Sequence, residues 1–138
     1  MSKFFKGFTL IELLVVITVI GLLSAMVLVG LSGVRARGRD TRRVADLRNL
    51  QNGLEIYFNK NNTYPSSLSD LGAQLGQLPQ DPLNREPYTY YYGVSSDGLH
   101  YTLGALLEDE ENSALDNDLD SDPYDGLTCS DPYYCIGL

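Results

Sequence analysis

The chain has 138 residues, room for one small domain and an anchoring segment but not for two ordinary domains. A net charge of −8 argues against nucleic-acid binding and against attachment to anionic lipid through basic patches. One histidine, no tryptophan and two cysteines exclude His-rich zinc sites and four-cysteine zinc or iron–sulfur cages by count.

Met1 to Gly7 reads MSKFFKG, with Lys3 and Lys6, and 18 of the 24 residues from Phe8 to Leu31 are apolar. As a helix rising about 1.5 Å per residue, this run is long enough for a hydrocarbon core of about 30 Å. It is too long for a secretory signal, and no A-x-A-like cleavage pattern follows it. Glu12 stands out within the run, because a carboxylate near the bilayer centre costs about 2.5–3.5 kcal/mol. Either it lies close enough to the interface to snorkel, or a cation from a neighbouring chain neutralises it.

Five arginines and Asp40 follow between Val34 and Arg43. This collar reads either as a solvated helix face near lipid headgroups or as a contact with acidic surfaces of the next subunit. By count of Lys and Arg alone, five against two, the collar side would be cytoplasmic. From Val44 the apolar positions Leu47, Leu50, Leu54, Tyr57 and Phe58 recur at helical spacing, so a single spine helix is expected from about Phe8 to Phe58, with Gly30, Gly33 and Gly38 as weak points. A short helix is expected within residues 66–78, and a β-hairpin from 88–94 and 100–107 around Ser95-Ser-Asp-Gly98. The tail from Glu108 reads as loop.

Ten acidic residues and no basic one lie between Glu108 and Asp131. Asp116, Asp118, Asp120, Asp122 and Asp125 alternate along a stretch that, if curled, would converge on a hard cation such as calcium; the other reading is a solvated acidic loop. Ser121 and Leu127 stand where an EF-hand needs glycine and glutamate. Cys129 and Cys135 suit a small disulfide-closed ring, which persists only in an oxidising compartment. No G-x-S-x-G elbow or phosphate loop accompanies His100, and the chain is too short after Val44 for a deep glycosidase cleft, so no enzyme activity is expected.

Gly7-Phe-Thr-Leu-Ile-Glu12, between a short Lys-bearing leader and a long apolar run, resembles the processing site of type IV prepilins and type II secretion pseudopilins. Leu54 to Pro65 and Leu78 to Tyr88 resemble the major, G-like pseudopilins and short bacterial pilins. The resemblance implies an α+β pilin fold, a long N-terminal spine helix packed on a small antiparallel sheet. It divides the chain into a leader (1–7), a transmembrane and filament-core helix (8–31), the collar and amphipathic half of the spine (32–58), and a globular head with an acidic C-terminal loop (59–138).

It further implies that a prepilin peptidase cuts after Gly7, that Phe8 is N-methylated, and that Glu12 pairs with the Phe8 amine of an adjacent subunit during assembly. The implied partners are copies of the chain in a helical filament, an inner-membrane assembly platform, and membrane lipid before assembly. The implied topology places the N-terminus inside and the head outside, and the cysteine pair leans the same way against the arginine count. G-like pseudopilins carry calcium in their C-terminal loops, whereas disulfide-bearing tails are common in type IV pilins. A type IV pilus-like filament is therefore the first expectation, with a type II secretion or competence pseudopilus as the alternative and, behind both, a monomeric membrane-anchored binding module, which would leave Glu12 unpaired.

Overall fold

The computed structural model describes residues 7–120 and 128–138, without the side chains of 28–31. Lys3, Lys6, Asp122 and Asp125 lie outside the described residues. The chain forms two units, Met1–Arg35 and Ala36–Leu138.

Helix α1 runs over Leu10–Asn61, 52 residues, two residues later at its start and three later at its end than the sequence pattern predicts. It passes through Gly30, Gly33 and Gly38 without interruption. A glycine costs a helix only about 1 kcal/mol, too little to break one this long. Asn62, in the left-handed region at φ 56°, follows its last residue.

In the first unit, the apolar side chains described from Phe8 to Val27 are all exposed. By length and composition this part of α1 suffices to cross a membrane. Its hydroxyls are satisfied internally, since Thr18 Oγ1 donates to the Leu14 carbonyl and Ser24 Oγ to that of Ile20, both at 2.7 Å.

In the second unit, α1 buries Leu47, Leu50 and Leu54 against a sheet of three antiparallel strands in the order β1 (Tyr90–Val94), β2 (Tyr101–Leu106), β3 (Tyr133–Gly137). The register sets Tyr92 opposite Leu103, and Leu103 opposite Ile136. Alternation then brings Tyr90, Tyr92, Tyr101, Leu103, Ala105, Tyr134 and Ile136 to the core, while Tyr91 and Tyr133 meet edge-on on the other face. Several tyrosine hydroxyls return to the helix or its exit: Tyr90 to Asp46 (2.7 Å), Tyr64 to Glu55 (3.0 Å) and Tyr92 to the Pro65 carbonyl (2.7 Å). These tyrosines therefore fill the core and join sheet to helix.

The short helix expected in residues 66–78 is a 3-10 turn, Leu68–Leu71, continued by α2, Gly72–Leu75. Leu75 lies so close to α1 that a Cβ on Gly53 would sit 2.9 Å from it. The hairpin turns at Gly98, with φ 69°, where a side chain would also collide with Thr63 Oγ1. The tail departs from its expectation. It contributes β3 and a second 3-10 turn, Leu115–Asn117. Tyr133-Tyr-Cys-Ile136 is β-favouring, but acidic and turn residues surround it, and its partner β2 lies about thirty positions earlier in the chain.

Candidate assembly and cation sites

Three groups of polar residues stand apart from the core. The first opens α1. Gly7 and Phe8 precede the helix in irregular, exposed chain, and nothing lies within 4 Å of a Cβ built on Gly7. Thr9 and Glu12 then form a capping box. Glu12 Oε2 accepts from the Thr9 amide at 2.8 Å and from Thr9 Oγ1 at 2.7 Å, while the Glu12 amide donates to Thr9 Oγ1 at 3.3 Å. Within one chain the partner of Glu12 is thus Thr9. The T-x-x-E pattern before an apolar run carries this signal in the sequence.

The second group is the arginine collar, and its chemistry is largely internal. Arg43, whose side chain is fully buried, donates from Nη1 to Asp40 at 2.6 Å and to Glu108 at 2.7 Å, and from Nε to Asp81 at 2.6 Å. Its guanidinium lies 4.8 Å from the centroid of the Tyr88 ring. Arg39 grips both oxygens of Glu108, at 2.7 and 2.5 Å, and Arg37 pairs with Asp109 at 3.0 Å. Asp40 in turn accepts the backbone amides of Glu108 and Asp109, each at 3.0 Å. The reading as a solvated helix face is corrected for Arg43, whose side chain is fully buried, and for Arg39, which is largely covered, whereas Arg37 stays exposed. Arg37, Arg39 and Arg43 fasten α1 to the Asp81 loop and to the chain leaving β2.

Charge in this cluster is held in place. Bidentate hydrogen bonding from Arg39, with Arg43 adding to it against the effect of burial, holds the Glu108 carboxyl down from 4.5 to about 2. Burial works against the charged form of Arg43, but the hydrogen bonds from Asp81, Glu108 and Asp40 outweigh it and raise its pKa. Nothing in the local sequence names Asp81 or Glu108 as the partners of Arg43, since they lie 38 and 65 positions away.

The third group is acidic. Asp118, Asp120 and Asp131 each place a carboxylate oxygen within 4.8 Å of the other two. Asp116 is not among them, and Asp131, which the alternating pattern does not include, is. The neighbouring disulfide explains its arrival. Cys129 and Cys135 are bonded and fully buried, and Asp131 lies in the ring that they close. Asp118 Oδ2 accepts the Cys135 amide at 2.7 Å and the Leu119 amide donates to the Cys135 carbonyl at 3.1 Å, so this segment covers part of the outer edge of β3.

The second oxygen, Asp118 Oδ1, is buried without a hydrogen-bond partner. Burial, then the nearby charges of Asp120 and Asp131, push the Asp118 pKa upward. Three carboxylates this close are a donor set of the kind a hard divalent cation takes, with backbone oxygens or water needed to complete its six to eight ligands.

Comparison with known proteins finds relatives through the N-terminal motif and through most of the chain. Residues 3–28 match the family model described as the prokaryotic N-terminal methylation motif. The type II secretion system core protein G of Aeromonas hydrophila is 34% identical over 88 residues, 64% of this chain and 59% of that protein. The core protein G of Dickeya chrysanthemi is 30% identical over 108 residues, 69% of this chain and 71% of that protein. The type IV wide pilus major component PilA4 of Thermus thermophilus is 42% identical over 79 residues, 57% and 59% of the two chains. No solved structure is a significant match. With its methylation motif, its apolar helix start and its three-stranded head, the chain belongs to the pilin and pseudopilin family of structural, non-enzymatic proteins.

Proposed function

We propose that this chain is the core pseudopilin of a type II secretion filament. It is made as an inner-membrane precursor with its N-terminus inside and its head outside. A prepilin peptidase removes residues 1–7, Phe8 is methylated, and the assembly platform adds the subunit to copies of itself. The exposed Gly7–Phe8 link supports access for the peptidase. The exposed apolar start of α1 supports both membrane storage and burial among neighbouring helices in a fibre. Glu12 would exchange its bonds to Thr9 for the incoming Phe8 amine, so that two charges costly alone in lipid neutralise each other.

The observation carrying this reading over a surface pilus is the likeness to core protein G, which extends over 69% of the chain for the Dickeya relative. A type IV pilin is the second reading, favoured by the Thermus resemblance and by the disulfide-tied tail. Deleting the gene separates the two. The proposal expects secreted enzymes to accumulate in the periplasm while long surface fibres persist, and loss of long fibres with secretion intact would select the pilin reading instead.

The head is further proposed to hold calcium through Asp118, Asp120 and Asp131. Calcium at millimolar concentration should raise the melting temperature of the full chain in detergent, and Asp120→Asn should remove the effect. An unchanged melting temperature would reject the site.

A further inference from the structure

Arg37 and Arg42 flank the buried face of α1 on opposite sides. Around a helix, Arg42 stands about 100° from the buried Arg43 in one sense and Arg37 about 120° from it in the other. On the Arg37 side stands an acidic turn. Arg37 Nε meets Asp109 Oδ2 at 3.0 Å, the Glu111 amide donates to Asp109 Oδ1 at 3.3 Å, and the Asn112 amide donates to the Asp109 carbonyl at 3.1 Å. Asp40 holds the turn from beneath through the amides of Glu108 and Asp109. Glu110 and Glu111 are thereby presented to solvent at a fixed level of α1.

On the Arg42 side an open groove of about 510 Å³ runs between α1 and the segment 75–80, with Arg42, Asp46, Asn49, Gln77 and Gln80 in its lining. The Arg42 side chain is 63% exposed, and its ion pair, Nε to Asp46 Oδ2, is long at 3.6 Å. That oxygen already accepts the Tyr90 hydroxyl at 2.7 Å. Arg42 therefore keeps donors for a second carboxylate, and the side-chain amides of Asn49, Gln77 and Gln80 add neutral ones. We infer that this groove receives the Glu110–Glu111 turn of a second copy of the chain.

Turn and groove are different surfaces on two sides of one helix, so the contact is head-to-tail, and such a contact repeats into an open fibre when its rotation does not close a ring. Its register agrees with the Glu12–Phe8 pairing proposed above, and the inference rests on that filament reading. The turn sits at the level of Arg37, five residues before Arg42, so the docked copy is displaced about 7.5 Å toward the C-terminal end of α1. A Phe8 amine level with a neighbour's Glu12 displaces its copy by four residues, about 6 Å, in the same direction. One axial step serves both contacts.

The test follows filaments assembled in cells from the full chain. Arg42→Glu should lower their yield at least about tenfold, because it sets like charges together, and Glu110→Arg with Glu111→Arg should do the same by facing Arg42. All three changes combined restore opposite charges and should bring the yield back to within about threefold of the unmodified chain. Independently, filaments carrying Arg42→Cys and Glu111→Cys should give a ladder of dimers, trimers and longer oligomers under mild oxidation.

Full yield from the charge-reversed variants, or a triple variant that stays defective together with a cysteine pair that gives no ladder, would overturn the docking. If Glu12→Ala still prevented assembly in that case, the filament reading would stand without it. Cross-linked dimers that never extend would overturn the head-to-tail contact. Absence of filaments from the unmodified chain would overturn the filament reading and the inference together.

Discussion

Arg43 shows how one side chain can carry much of the head's organisation. A guanidinium with three carboxylates and no exposed surface cannot be replaced by a shorter side chain without leaving buried charge unpaired. Arg43→Ala is expected to destabilise the protein by about 3–5 kcal/mol, read from denaturant unfolding of the full chain in detergent. Arg37→Ala, at an exposed pair, should cost less than about 1 kcal/mol. Equal losses for the two would contradict the internal role of the collar.

The same cluster predicts an acid limit. Glu108 is held to about 2 in the fold against an ordinary 4.5. Its depressed pKa therefore contributes stability that is fully present above the ordinary value and is lost as pH falls toward about 2. Unfolding curves between these limits should flatten when Arg39→Gln removes the bidentate partner.

At the scale of elements, what the sequence made legible followed periodicity. Leu47, Leu50 and Leu54 at helical spacing marked the buried face of α1, and the Tyr- and Thr-rich runs around Ser95 to Gly98 marked the hairpin. What stayed illegible depended on pairs distant in the chain. β3 exists because β2 offers it a register, and Asp131 joins Asp118 because a disulfide folds it there. The arginines of the collar looked like a surface because their partners come from the Asp81 loop and the exit of β2. The T-x-x-E pattern carries the cap in the sequence, within the same run where Glu12 is costly as an isolated carboxylate.

Two substitutions separate these contributions. Leu54→Ala removes a fully buried side chain from the junction of α1 and sheet and should cost about 2–5 kcal/mol in the same unfolding assay. Asp118→Ala leaves the Cys135 amide at the edge of β3 without its acceptor. Hydrogen exchange should then quicken at Cys135 while Leu103 and Tyr101, on the central strand, keep their protection.

Across the whole molecule, charge is ordered along the chain. The collar from Arg35 to Arg43 carries +4, and the residues from Val44 onward carry −13. Most of the collar charge is spent inside the head, on Glu108, Asp109, Asp40 and Asp81, so the acidity offered to solvent comes from groups such as Glu110, Glu111 and Asp120. The apolar start of α1 is exposed along its described length. A single chain cannot satisfy that surface in water, whereas lipid or a bundle of identical helices can.

The proposed passage from lipid to bundle, with removal of residues 1–7 and pairing of Glu12 with a neighbour's Phe8 amine, is tested most directly by the intact mass of the chain recovered from filaments. The expected chain begins at Phe8 and carries one methyl group on its amine. A filament chain retaining residues 1–7, or beginning at an unmodified Phe8, would contradict it.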